Sequence, residues 1–233
     1  MHVARTIDST CGVVVSHSPS APARVLIVED HPIVRLGVRQ MIAAEPGLAI
    51  CGEASSGRAA LELATSLKPE LAVVDLSLEH GSGLELIRSL REAASDTRVL
   101  VLSMHDEVLF AERALRAGAR GYIMKQEAID GLVHAMREVL AGRLYVSKRM
   151  SQHLLERLGK DAPVTAGRLG NLTDRELEVF ELIGRGLSTA AIADRLQVSV
   201  KTIETYRSNI KTKLDLKDAT DLIRFATTWT ERL

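Results

Sequence analysis

The chain has 233 residues, 30 Lys+Arg against 30 Asp+Glu, two cysteines and 46% hydrophobic residues, an ordinary composition for a soluble globular protein of one large domain or two small ones. Its apolar runs are far shorter than the roughly 20 residues of a membrane-spanning helix, which excludes a transmembrane protein, and two cysteines exclude a multi-bridge disulfide framework or a four-ligand cysteine metal site. Zero net charge gives no global attraction to nucleic acid, so such a partner must be argued from a local concentration of basic residues.

Residues 1–23 hold one short apolar run, 13–15, too short for a secretory signal, and read as a mobile tail of a cytosolic protein with free thiols. From 24 to about 142, compact apolar runs at 25–28, 48–51, 71–74, 99–102 and 122–124 alternate with helix-period segments at 32–44, 56–67, 84–94, 107–117 and 128–140. Runs apolar on both faces suit a parallel sheet covered on both sides, and five strand-helix pairs predict a doubly wound α/β domain. An amphipathic stretch at 147–158 and the glycine-containing segment 159–170 read as a linker.

From Leu172 onward the pattern is helical throughout. Thr173 and Glu176 form a capping box, glycines 184 and 186 close the first helix, and further helices are expected at 188–196, 200–214 and 217–230, with a tight turn at 197–199. A small all-α bundle containing a helix-turn-helix results.

In an open parallel sheet, ligands bind beyond the carboxyl ends of the strands. Here those ends are Glu29-Asp30, Asp75, Ser103 and Lys125: three carboxylates, a hydroxyl and an ammonium. Crowded carboxylates repel unless a hard cation joins them, and Mg²⁺ takes carboxylate and phosphate oxygens, so the cluster reads as a Mg²⁺-dependent phosphoryl site. Asp75, alone after its apolar run, is the best nucleophile; Glu29 and Asp30 are better placed to hold metal.

These residues, with the whole of 24–30, Leu102-Ser103 and 121–125, resemble the receiver domain of bacterial two-component response regulators. The resemblance implies a CheY-like doubly wound (βα)5 fold, Asp75 as phosphoacceptor, Glu29, Asp30 and Asp75 as Mg²⁺ ligands together with the Ser77 carbonyl, and Ser103, Tyr122 and Lys125 as the residues that respond to the phosphoryl group. Receivers usually carry proline four residues after the acceptor, where this chain has Glu79. That departure supports an alternative, a degenerate receiver controlled without phosphorylation. An aspartyl-phosphate phosphatase is disfavoured because Ser77 stands where haloacid-dehalogenase-like hydrolases place a second aspartate.

Over 171–194 two basic residues face five acidic ones, whereas over 195–213 five basic residues face one acidic. The third effector helix therefore carries the positive field. Its Val200, Ile203, Ile210 and Leu214 are expected on one apolar stripe, with Lys201, Glu204, Thr205, Ser208 and Thr212 opposite and Arg207 beside the stripe. Short polar side chains suit base edges in the major groove, while Lys201 and Lys211 suit phosphates. Segments 172–176 and 201–204, with Gly186, Ile192-Ala193, Leu196 and Ser199, resemble the LuxR-type effector of NarL/FixJ response regulators. The implied organisation is a receiver at 24–143, linker helix and linker at 144–167 and a four-helix LuxR-type helix-turn-helix at 168–233. The implied partners are a sensor histidine kinase, double-stranded promoter DNA and a second copy of the chain when phosphorylated, all in the cytoplasm and away from membranes.

Overall fold

The computed structural model describes residues 21–78, 82–159 and 169–231. The tail expected at 1–23, Cys11, Glu79 and most of the linker after the amphipathic stretch lie wholly or mainly outside the described residues.

Five strands form one parallel sheet: β1 (Ala23–Val28), β2 (Leu48–Ala54), β3 (Leu71–Val74), β4 (Arg98–Ser103) and β5 (Gly121–Met124), in the order β2-β1-β3-β4-β5. The order reverses between β1 and β3, which opens a crevice beyond their carboxyl ends. Helices α1 (Pro32–Ala43), α2 (Gly57–Leu67), α3 (Gly83–Ala93), α4 (Glu107–Ala117) and α5 (Ala128–Leu140) follow the strands in turn. Local chemistry sets their starts: Pro32 occupies the first turn of α1, Ser56 caps α2 through the Ala59 amide, and Asp106 caps α4 through the Val108 amide.

Strand side chains alternate between the two covered faces. Val25, Ile27, Leu71, Val73, Leu100 and Leu102 pack with Ile42 of α1 and Leu132, Met136 and Val139 of α5. Leu26, Val28, Val74, Val99 and Val101 pack with Ala60, Ile87, Leu90, Phe110 and Ala114 of α2, α3 and α4, in an apolar cluster that continues into the C-terminal helices. Gly83 is required at the start of α3 because an added Cβ would overlap Leu76 and stand 2.8 Å from the Asp75 carbonyl oxygen. The chain thereby folds tightly back past the end of β3.

After α5, Tyr145 forms a parallel bridge with Gly121; the Tyr122 amide donates to the Tyr145 carbonyl at 2.8 Å and the Tyr145 amide to Arg120 at 3.1 Å. The linker helix α6 (Lys148–Gly159) starts where Ser147 donates to the buried Glu107 of α4. The C-terminal bundle comprises α7 (Asp174–Gly184), α8 (Thr189–Arg195), α9 (Val200–Leu214) and α10 (Ala219–Thr230). Thr173 and Glu176 form the expected capping box, and Ser188, Ser199 and Asp218 cap the next three helices, the last opening two residues later than its sequence pattern suggests. Ile203, Ile210 and Leu214 of α9 are fully buried, but Val200 is 46% exposed. That corrects the expected stripe: Val200 is the first residue of α9, ahead of the turns that pack on α7 and α8.

Candidate functional site

Strand β1 ends at Val28 and β3 at Val74, paired in register, so Glu29 and Asp75 leave the sheet side by side. Both are almost wholly buried. Lys125, immediately after β5, places Nζ 2.8 Å from Asp75 Oδ2 and 2.7 Å from Glu29 Oε2. The contact with Glu29 is an ion pair without hydrogen-bond alignment, leaving that buried oxygen with no hydrogen bond. Burial and the neighbouring charge of Asp75 push the Glu29 carboxyl up, against the pull of Lys125. Burial alone would lower the Lys125 ammonium, but Asp75 and Glu29 outweigh it and raise its pKa.

Ligand atoms of Glu29, Asp30, His31 and Asp75 all lie within 4.8 Å of one another. His31 is absent from the sequence-derived set. Its Nδ1 is 2.7 Å from Asp30 Oδ1 and its amide donates to Glu29 at 3.1 Å, a placement signalled only by its position next to the acid pair. The Ser77 amide donates to Asp75 Oδ1 at 3.1 Å, which folds the loop after β3 over the carboxylate.

Ser103 ends β4 opposite Met124 of β5 and is fully buried. Its hydroxyl accepts from the His105 amide at 3.1 Å, while the Tyr122 hydroxyl donates to the His105 carbonyl at 2.9 Å. Tyr122 is thus inward-facing, and complete burial raises its phenol well above the ordinary value of 10.0. His105, another residue that the motif reading passes over, lies two positions after Ser103 and stacks on Phe110 with ring centroids 4.4 Å apart. Its Nε2 is 2.9 Å from Ser77 Oγ and its Nδ1 2.5 Å from Glu181 Oε2 of α7. Burial works against the charged imidazole, but Glu181, Glu178 and Asp75 more than compensate and raise its pKa; the same contact helps hold Glu181 below its ordinary value.

The two halves of the chain therefore meet at the pocket. Arg113 of α4 donates to the Leu172 and Leu169 carbonyls at 2.8 Å each and to Asp174 at 3.0 Å, and Arg88 of α3 donates to Asp174 at 3.0 Å. A cavity of about 340 Å³ lies between them, bounded by Asp30, His31, Ser77 and His105 on one side and by Glu178 and Leu182 of α7 on the other.

On α9, Lys201, Glu204, Thr205, Ser208 and Thr212 are exposed, while Arg207 and Lys211 are half-buried. The Thr205 hydroxyl donates back to the Lys201 carbonyl at 3.0 Å. Lys213, one of the five basic residues that give this stretch its positive balance, is instead paired with Glu176 at 2.6 Å. The outward face of α9 is thus a short-chained polar surface with lysines at its flank, suited in shape and charge to a nucleic-acid groove.

Each half of the chain matches a known family. A family model described as response regulator receiver domain matches residues 25–137, and one described as bacterial regulatory proteins, luxR family, matches residues 170–226. The nitrate/nitrite response regulator protein NarL of Escherichia coli (strain K12) is 34% identical over 200 residues, covering 86% of this chain and 93% of that protein. The oxygen regulatory protein NreC of Staphylococcus carnosus (strain TM300) is 33% identical over 208 residues, 87% of this chain and 96% of that one. Among solved structures, RcsB from Salmonella enterica serovar Typhimurium, bound to promoter rprA in the presence of phosphomimetic BeF3⁻, superposes with a TM-score of 0.59 at 25% identity, over 88% of this chain and 98% of that one. A LuxR-family two-component response regulator from Aurantimonas sp. SI85-9A1 gives 0.56 at 36% identity, over 60% of this chain and 100% of that one.

Proposed function

Because the chain belongs to the transcriptional response regulators that join a receiver domain to a LuxR-type DNA-binding domain, we propose that Asp75 accepts a phosphoryl group from a sensor histidine kinase and that this modification governs promoter binding by a dimer. The observation that carries the reading is the buried Asp75 carboxylate held by the Lys125 ammonium beside Glu29.

The donor set fits Mg²⁺: Glu29, Asp30 and Asp75 are hard oxygen ligands within 4.8 Å of one another, and the Glu29 Oε2 atom has no aligned hydrogen bond. The Ser77 carbonyl completes the proposed ligand set. When bound, the ion supplies positive charge to the phosphoryl oxygens. A carboxylate oxygen of Asp75 attacks phosphorus, the new O–P bond forms as the P–N bond to the kinase histidine breaks, and the imidazole leaves with the electron pair and takes up a proton. Lys125 balances charge as it arrives. Ser103 then turns its hydroxyl to a phosphoryl oxygen, and Tyr122 follows the loop that Ser103 begins.

In the effector, Lys201 and Lys211 meet phosphates, Glu204, Thr205 and Ser208 face base edges, and Arg207 reaches a flanking phosphate. The proposed units are a receiver at 24–143, a linker helix and linker at 144–167 and an effector at 168–233, and the protein acts in the cytoplasm. Among the described residues no helix is long and apolar enough to cross a membrane.

The test is intact mass after incubation with acetyl phosphate, with and without Mg²⁺. Wild-type protein is expected to gain one phosphoryl group in Mg²⁺, and Asp75→Asn none. Here acetate is the leaving group and the P–O bond of the donor breaks. An adduct that persists in Asp75→Asn would overturn the acceptor assignment.

A further inference from the structure

Glu204 is the one acid set among the five basic residues of 195–213, and it stands on the outward face of α9. Its side chain is exposed and, among the described residues, forms no hydrogen bond or ion pair. Lys201 and Arg207, three positions away on either side and within helical reach, leave it unpaired. The acids of α7 behave differently: Glu176 pairs with Lys213, Glu178 with Arg175 and Glu181 with Arg185. Thr205, the next residue of α9, has the opposite property. Its hydroxyl is spent on the Lys201 carbonyl at 3.0 Å, which leaves the γ-methyl as the free contact group of an exposed side chain.

A carboxylate on the groove-facing side of a DNA-reading helix is repelled by the phosphates and lowers affinity for every sequence alike. It is favourable only where a base edge offers it a donor. In the major groove that donor is the 4-amino group of cytosine; the amino group of adenine stands beside the N7 acceptor, which repels a carboxylate. A methyl group whose neighbouring hydroxyl is already bonded meets, in the same groove, the C5-methyl of thymine. We infer that α9 reads a C·G pair through Glu204 and a T·A pair through the methyl group of Thr205. The inference rests on the DNA-reading role given to α9 above and deepens it by naming the bases. At 3.6 residues per turn the two side chains leave the axis about 100° apart, on either side of the line through Lys201 and Ser208, and so address different base pairs. Glu204 therefore discriminates at the expense of affinity. Its removal should raise binding to arbitrary DNA while erasing preference for the chosen site, whereas loss of a residue that merely holds the helix together would weaken both.

The test is selection of duplexes from a randomised library by the full-length chain in acetyl phosphate and Mg²⁺, followed by titration of the selected site and of an unselected duplex. Wild type is expected to select sites with a fixed C·G pair and a fixed T·A pair, and exchange of the C·G pair should weaken binding about tenfold. Glu204→Gln should select adenine at that position, because an amide both donates to N7 and accepts from N6. Glu204→Ala should select no base there and bind the unselected duplex more tightly than wild type does. Uracil in place of the contacted thymine should weaken wild type about fourfold, the effect of one buried methyl group. Thr205→Val keeps that methyl and should keep the uracil penalty; Thr205→Ser keeps only the hydroxyl and should lose it. If Glu204→Gln and Thr205→Ser rank the sites as wild type does while Lys201→Ala weakens binding to all of them, the two base assignments fall and α9 remains the DNA-contacting helix. Weaker binding of Glu204→Ala to selected and unselected duplexes alike would give Glu204 a structural role and overturn its assignment. Selection of no sequence by wild type, with Lys201→Ala binding as wild type does, would overturn the DNA-reading role of α9 and the inference with it.

Discussion

Replacing Arg113 with alanine isolates the energetics of the docked arrangement, because its guanidinium makes three bonds across the junction and its removal leaves the core of each half untouched. The bonds run to two backbone carbonyls and one carboxylate at 2.8–3.0 Å. A hydrogen bond to a charged group contributes about 1.5–3 kcal/mol. The three do not sum, since water takes the freed carbonyls once the halves separate and Arg88 still holds Asp174. About 3 kcal/mol is a reasonable net loss, equivalent to roughly a hundredfold shift in the ratio of docked to undocked chain. Hydrogen exchange resolves such a shift even when the docked form still dominates. The Asp106 amide is bonded across the junction to Glu181, so its exchange should accelerate by roughly the same hundredfold factor. Amides in the ladder between β3 and β4 should keep their wild-type rates. Arg113→Lys keeps the charge but loses the planar fork and should fall between. An Asp106 amide as protected in Arg113→Ala as in wild type would refute the reasoning and assign the junction to apolar contact alone.

Two further outcomes are expected. Lys201→Ala and Lys211→Ala should weaken binding to all DNA sequences and each reduce the salt slope by about one, whereas Thr205→Ala should alter relative affinities over a panel of mutated sites; salt slopes unchanged from wild type or an unaltered panel ranking would count against these roles. Glu176 is held below its ordinary value of 4.5, because Lys213 and the Thr173 cap outweigh the upward push of burial. A carboxyl lowered in the folded state stabilises the protein above its unfolded pKa and loses that contribution as pH falls through the folded one. Melting temperature should therefore drop more steeply below pH 4.5 in wild type than in Lys213→Met, and parallel profiles would show that the pair is not the cause.

The sheet was legible because a strand covered on both faces writes itself as a continuous apolar run, and its end is marked where the first charge appears. Glu29, Asp75 and Lys125 were found that way, and their convergence follows from parallel pairing alone. The Thr173 helix cap was equally local. Contacts between the halves were not legible: His105 and Glu181 are 76 residues apart, and neither falls in a repeating pattern that implies a distance. Glu178 and Glu181 counted simply as acids in an acidic stretch, yet both are buried against the receiver. Val200 illustrates a different limit, since periodicity assigns a face without saying whether a neighbour reaches that end of the helix.

The backbone bridge at Tyr145 has a consequence for how the chain resists self-association. A sheet edge with free amides and carbonyls is a template for a strand from another molecule. At β5 the returning chain supplies its own cover, taking the Tyr122 amide and giving a donor to Arg120. The receiver limit expected from sequence, between Arg143 and Leu144, falls two residues short of that cover. A fragment ended there would bare the outer edge of the strand that carries Tyr122, and its tendency to form intermolecular β-structure would be a property of the cut, not of the domain.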